Sequence, residues 1–177
     1  VYHWSTGKFN IFEKTKDLGY HFGTFVAAED RSALSDKVGE GTIRPFYLAI
    51  RNPLEMDDVF GAGVTAAQDA LYQLYKGGVM SEAGPVITER EYAKAIAFSR
   101  QRGTKSAAVW ARVRELIEKT GYDGVKYNNG SEDEGETSWI AFRPEQIKST
   151  DNANPTADPN IMRSPKILSY GTATADS

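Results

Sequence analysis

The sequence predicts an α+β domain, and three observations carry that expectation. Ile43 to Ile50, Gly124 to Tyr127 and Trp139 to Phe142 are short runs rich in branched and aromatic residues, the composition of strands. Between the first and second of these runs, apolar residues recur at helical spacing. The order strand, helix, strand, helices, strands, with no internal repeat, matches an α+β arrangement better than an alternating one. A length of 177 residues with 40% hydrophobic content suits a single core of ordinary size.

Val1 to Trp4 reads as the first strand, and Gly7 to Lys16 as a turn region anchored by Phe9, Ile11 and Phe12. A short helix is expected from Ala27 to Val38. The strand Ile43 to Ile50 would place Phe46, Leu48 and Ile50 on one face, and Asn52-Pro53-Leu54 should end it, because proline has no N–H for a ladder. Val64, Ala67, Leu71 and Leu74 form one helical stripe, closed by Gly77-Gly78. Thr88 and Glu91 have the spacing of a capping box, opening a helix that should reach Gln101 or Arg102 before Gly103. Val109, Val113, Leu116 and Ile117 form the last stripe, with Gly121 placed to cap it. From Thr150 the composition turns to Asp, Asn, Ala, Pro, Thr and Ser, so residues 150–177 are expected to be a polar tail or surface strap on a domain of residues 1–149.

Composition excludes several kinds of chemistry. The absence of cysteine removes disulfides, thiolate metal sites and thiol nucleophiles, and two histidines make a zinc site improbable. A formal charge of -3 supplies no broad basic field for phosphate backbones. No run reaches the roughly 20 apolar residues of a membrane span, and no signal-peptide layout opens the chain, so a soluble protein is expected. The sequence starts without methionine, directly on a strand, as a domain of a longer polypeptide would.

The two histidines sit in similar settings, His3-Trp4-Ser5 and Gly19-Tyr20-His21-Phe22-Gly23, and a third segment, Ser138-Trp139-Ile140, follows an acidic loop from Glu132 to Glu136. In order and spacing these segments resemble the three active-site strands of the ADP-ribosyltransferase fold, in its histidine-first branch with poly-ADP-ribose polymerases and diphtheria toxin. With Tyr47-Leu48-Ala49-Ile50, Asn52-Pro53-Leu54 and Gly121-Tyr122-Asp123-Gly124-Val125, the chain resembles most the ADP-ribosyltransferase domains of phage polyvalent proteins and of toxins attached to phage head proteins. The resemblance implies a split mixed β-sheet core with a helical insert at about residues 57–101.

It also implies a function. Such domains use NAD as co-substrate and need no metal. They break the bond between nicotinamide and ribose through a transition state in which positive charge develops on the sugar, where a carboxylate helps. His3 and Ser5 correspond to the family's NAD-binding pair, and Trp4 stands where a glycine often presents its backbone to nicotinamide. His21 takes the place of a stacking tyrosine, with Phe22 beside it and Phe25 as the second aromatic. Ser138 occupies the place of the catalytic glutamate. Because side chains alternate along a strand, Glu136 would share the Ser138 face if the strand extended back that far, and Glu132 is the next candidate.

The expected activity is mono-ADP-ribosyl transfer by a phage-associated or secreted toxin or effector, carried in a phage particle, injected into a host cell or cytoplasmic. Its acceptor would be protein rather than nucleic acid, with an antitoxin or immunity protein as a partner and no membrane. The alternatives are an NAD hydrolase, an RNA-modifying relative, or a degenerate domain that binds NAD or a protein partner.

Overall fold

Among the described residues the strands form two main sheets and a separate antiparallel pair, β5 (Met80–Ser81) with β6 (Gly84–Pro85), and the division between the main sheets creates the cleft in which the two histidines meet. The computed structural model describes residues 1–35, 39–59, 61–77, 79–81 and 84–164. The expected helix end at Val38, Gly78 and the tail beyond residue 164 lie outside them. The first sheet has the order β1-β3-β9, formed by Tyr2–Thr6, Gly41–Leu48 and Ile147–Ser149, all antiparallel. The second has the order β2-β8-β7-β4, formed by Tyr20–Phe22, Thr137–Ala141, Gly124–Asn128 and Pro53–Asp57. Only β4 and β7 run parallel, so this is a mixed sheet in an α+β fold. A bridge between Tyr2 and Gly23 joins the sheets at one corner, and a turn of 3-10 helix at Pro144–Gln146 carries the chain from β8 to β9.

Four α-helices among the described residues complete the fold. α1, Phe25–Ala33, is capped by Thr24, whose hydroxyl accepts from the Ala27 amide, and it packs beside β1. It starts two residues before the expected Ala27 because that cap sits at Thr24, and it ends at Ala33, short of the expected Val38, with Leu34 closing the last turn. α2 (Val64–Lys76), α3 (Glu89–Ser99) and α4 (Ser106–Glu118) pack together and bury Leu71, Leu74, Val109, Val113, Leu116 and Ile117 against Leu54, Val125 and Ile140 of the second sheet. A second core, Phe12, Phe22, Phe46, Ala141, Ile147 and Ile161, lies between the sheets. Among the described residues no helix is long and apolar enough to cross a membrane.

The stretch expected only to terminate a strand also begins one. Pro53 opens β4, where its missing N–H costs nothing, and β4 pairs in parallel with β7. Residues 150–164 fold back over β9. The Ser149 amide donates to the Ile161 carbonyl, the Ile161 amide donates to the Asn10 carbonyl, and buried Asn152 donates to the carbonyls of Ile161 and Arg163. This strap holds the segment that follows β1.

The capping box is formed as its spacing predicts. Thr88 Oγ1 accepts from the Glu91 amide at 3.3 Å, and the Thr88 amide donates to Glu91 Oε2 at 2.9 Å. Lys119 Nζ also donates to the Glu91 carboxylate. These bonds, Lys119 first and Thr88 second, pull the Glu91 pKa down from 4.5 to about 2. The stability they contribute is therefore complete above pH 4.5 and lost as pH falls toward about 2. Thr88→Ala is expected to cost about 1 kcal/mol at neutral pH in urea unfolding. For Glu91→Gln, the deficit against wild type should narrow as the pH is lowered through that window; a deficit constant with pH would reject the assignment.

Candidate active site

A cleft of about 500 Å³ opens where β1 of the first sheet meets β2, β7 and β8 of the second. His3, Trp4, His21, Phe22, Tyr127, Ser138 and Glu132 all contribute to its wall. Three segments far apart in sequence thus converge on one cavity, which the sheet pairing explains. His21 lies opposite Ile140 on β8, Tyr127 lies opposite Ser138, and both pairs share one face by strand alternation.

His3 reaches across the gap between the sheets. Its Nδ1 donates to the His21 carbonyl at 2.7 Å, and its ring packs within 5.2 Å of both Phe12 and Phe22. Because a carbonyl only accepts, the proton is on Nδ1, and the neutral ring keeps Nε2 as an acceptor. Burial lowers the His3 pKa below 6.5, outweighing the carbonyl bond that raises it, and the charges of Arg44 and Arg31 lower it further. At neutral pH the cavity therefore holds an uncharged imidazole with one free acceptor, suited to a sugar hydroxyl. In a proton NMR titration, the His3 Cε1–H resonance is expected to move with a midpoint below 6.5. A midpoint at or above that value would mean that the ring is solvated in solution. By linkage, the folding stability associated with neutral His3 is complete above 6.5 and falls away as pH drops through the lowered value.

His21 is held by its edges. Nε2 faces Asp17 Oδ2 at 3.3 Å, and Nδ1 lies 3.4 Å from the Tyr127 hydroxyl. With Nε2–H donating to Asp17, Nδ1 accepts from Tyr127, so only the faces of the ring remain uncommitted. That is the arrangement a stacking platform needs. Burial raises the Asp17 pKa, but the hydrogen bonds from His21 and from the Leu18 amide outweigh it, leaving the carboxyl below its ordinary value. Burial, then the charges of Asp58 and Glu132, push the Tyr127 phenol well above its ordinary value, so it stays protonated and can donate. Gly19 precedes this strand for a steric reason: a Cβ there would lie 2.3 Å from the Ala141 carbonyl oxygen and 2.5 Å from Ile140 Cγ2.

The acidic loop is organised around Asn129, which is buried. Its side-chain oxygen accepts from the amides of Ser131 and Glu132 at 3.0 and 2.8 Å, and its amide group donates to Ser138 Oγ at 3.1 Å. The Asp58 carboxylate accepts from the Gly130 amide, and Asp133 is tied to Asp30 and Thr24. Asp133 adopts a left-handed backbone, φ 56°, which turns the loop back toward β8. These bonds aim Glu132 at the cavity, where Arg31 of α1 meets its carboxylate at 3.3 Å.

The other expected residues are placed differently. Glu136 is exposed and lies outside the cavity: β8 begins only at Thr137, and the Glu136 backbone closes the loop by bonding Asn129 and Asp133. Phe25 is 48% exposed at the start of α1, with its ring perpendicular to that of Tyr2, and it does not line the cleft. Phe22 is 3% exposed and serves the core as well as the wall. Ser5 has a buried hydroxyl with no partner, outside the cavity wall. Asp17, Tyr127, Asn129, Asp58 and Arg31 were not singled out from the sequence, since the signals they carry, a lone aspartate, a strand tyrosine and an Asn-Gly turn, are common.

Among the described residues no group of three acidic or histidine side chains is placed to hold a metal. No curated protein and no solved structure matches the chain. A family described as ADP-ribosyltransferase in polyvalent proteins matches residues 1–157, a span that contains every residue of the cavity wall. With both sheets, four helices and the whole cleft inside that match, the chain belongs to the ADP-ribosyltransferases of polyvalent proteins.

Proposed function

We propose that the domain is an NAD-dependent mono-ADP-ribosyltransferase, acting as a phage-associated or secreted toxin or effector. The observation that carries this reading is the presence of His3 and Glu132 on one cavity, one a neutral acceptor for a ribose hydroxyl and the other a carboxylate on a pinned loop. His21, held at both ring nitrogens, supplies a face for nicotinamide, and Trp4 borders the same space. When the C–N glycosidic bond breaks, the electron pair leaves on the nicotinamide nitrogen, and the acceptor's nucleophile forms the new bond at the ribose carbon. Glu132 stabilises the positive charge on the sugar meanwhile. Ser138 assists through the Asn129 bond that holds the loop, as a positioning residue.

A protein acceptor fits this cleft better than a nucleic acid. Glu13, Asp17, Asp58 and Glu132 line it, with Arg31 as the single guanidinium, and that group is paired to Glu132. Such a wall repels a phosphate backbone. The functional unit is residues 1–149, over which residues 150–164 fold as a strap, and an antitoxin or immunity protein is the partner such an activity calls for.

The test is chromatographic detection of nicotinamide released from NAD by the purified domain, with and without cell lysate. Release that lysate stimulates is the expected result and indicates an acceptor within it; release that lysate leaves unchanged indicates hydrolysis. If neither mixture yields nicotinamide, the enzymatic reading fails, and NAD affinity decides whether a binding domain remains.

A further inference from the structure

The cleft wall has a shortage that its proposed ligand exposes. NAD carries a diphosphate, yet the wall offers four carboxylates and one guanidinium, which is engaged with Glu132. A cation for the diphosphate must come from beside the cleft. Arg44 of β3 is directly opposite His3 in the antiparallel register, so the two side chains leave the same face of the sheet. Ser5, two residues beyond His3, shares that face and lies diagonal to Arg44.

Both side chains are incompletely satisfied. Arg44 Nη2 and Ser5 Oγ are buried and have no hydrogen-bond partner. No carboxylate pairs with Arg44 among the described residues; its guanidinium instead lies under Phe9, 4.3 Å from the ring centroid, with Phe46 at 5.6 Å on another side. Buried donors are normally paired, and an orphaned guanidinium N–H beside an orphaned hydroxyl marks a place where an acceptor is missing. Its charge is already felt at the cleft, since it lowers the pKa of His3. The cover over it is a segment without regular secondary structure from Gly7 to Asp17, apart from one bridge at Ile11.

We propose that Arg44, with Ser5 Oγ as a second donor, receives the diphosphate of the dinucleotide, and that Phe9 caps the pair until the ligand displaces it. The inference rests on the NAD reading above and extends it. A planar guanidinium can meet two phosphate oxygens at once, and a hydroxyl adds a third bond, so a phosphate group satisfies both orphaned atoms. Arg31 then remains with Glu132, and the carboxylates of the wall stay away from the anion.

The probes are ADP-ribose and nicotinamide, titrated separately by calorimetry against the wild-type chain, Arg44→Gln, Arg44→Lys and Ser5→Ala, with a thermal melt of each. Arg44→Gln is expected to weaken ADP-ribose binding by about 10- to 100-fold, the range of a lost hydrogen bond to a charged group, with nicotinamide affinity unchanged. Arg44→Lys and Ser5→Ala should each give a smaller loss for ADP-ribose alone. They provide the same reading if the glutamine variant does not fold. Folded variants that bind ADP-ribose as wild type does would overturn the inference and leave the NAD reading standing. Wild-type protein that binds neither ADP-ribose nor nicotinamide would remove the NAD reading, and this inference with it.

Discussion

His3→Ala is expected to lower nicotinamide release from NAD by about 100-fold, the scale seen when a placed hydrogen-bonding group is removed from an active site. The expectation follows from the fixed tautomer. Nδ1 is committed to the His21 carbonyl, so Nε2 is the acceptor available to a ligand, and burial keeps the ring neutral. Losing the ring also opens space beside Phe12 and Phe22, at 5.2 Å from each, so the melting temperature should fall as well. Comparing rates on variant protein still folded at the assay temperature separates the two effects. His3→Gln keeps more volume and should be more stable than the alanine variant while remaining equally impaired in release. Full activity in either folded variant would remove His3 from the mechanism, and with it the main support for the family's chemistry at this site.

Much of the fold was legible because the signals were local. The Thr88 and Glu91 spacing predicts a capping box that forms, and the stripe of Val109, Val113, Leu116 and Ile117 is buried as a helix face should be. The convergence of His3, His21 and Ser138 was legible through resemblance, since only the sheet pairing brings residues so distant in sequence onto one cavity. What the sequence hid depends on register and loop closure. The start of β8 decides whether Glu136 faces the cleft, and strand alternation alone says nothing about where a strand begins. Asn129 reads as half of an Asn-Gly turn, yet its side chain fixes two loop amides and Ser138 together. Arg44 carries no motif at all; its place opposite His3 exists only once β1 and β3 are paired. Pro53 likewise reads as a breaker until a parallel neighbour shows that its missing N–H falls at a strand's first residue.

Glu132→Gln is expected to lower kcat by about 100- to 1000-fold with little change in KM, because the charge it removes matters when the sugar becomes cationic and not before. Gln preserves the shape of the side chain, and the main-chain bond from the Glu132 amide to Asn129 Oδ1 is untouched, so the loop should keep its course. The Arg31 pair is lost, but Arg31 is 68% exposed, and pairs of that kind contribute under about 1 kcal/mol. A fall in kcat therefore cannot be ascribed to unfolding. Glu136→Gln supplies the contrast. Its side chain is exposed and outside the cleft, while its backbone alone serves the loop, so kcat should stay within about twofold of wild type, as surface changes away from a site usually allow. The same two variants distinguish the carboxylate from its neighbours. If Glu136→Gln were the damaging change and Glu132→Gln the silent one, β8 would have to extend further back in the working enzyme than Thr137, carrying Glu136 onto the Ser138 face. If both were silent in an enzyme that releases nicotinamide, the positive charge on ribose would be met without either carboxylate. Of the wall's other acids, Asp17 and Asp58, which lie by His21 and Tyr127, would then be the groups to replace.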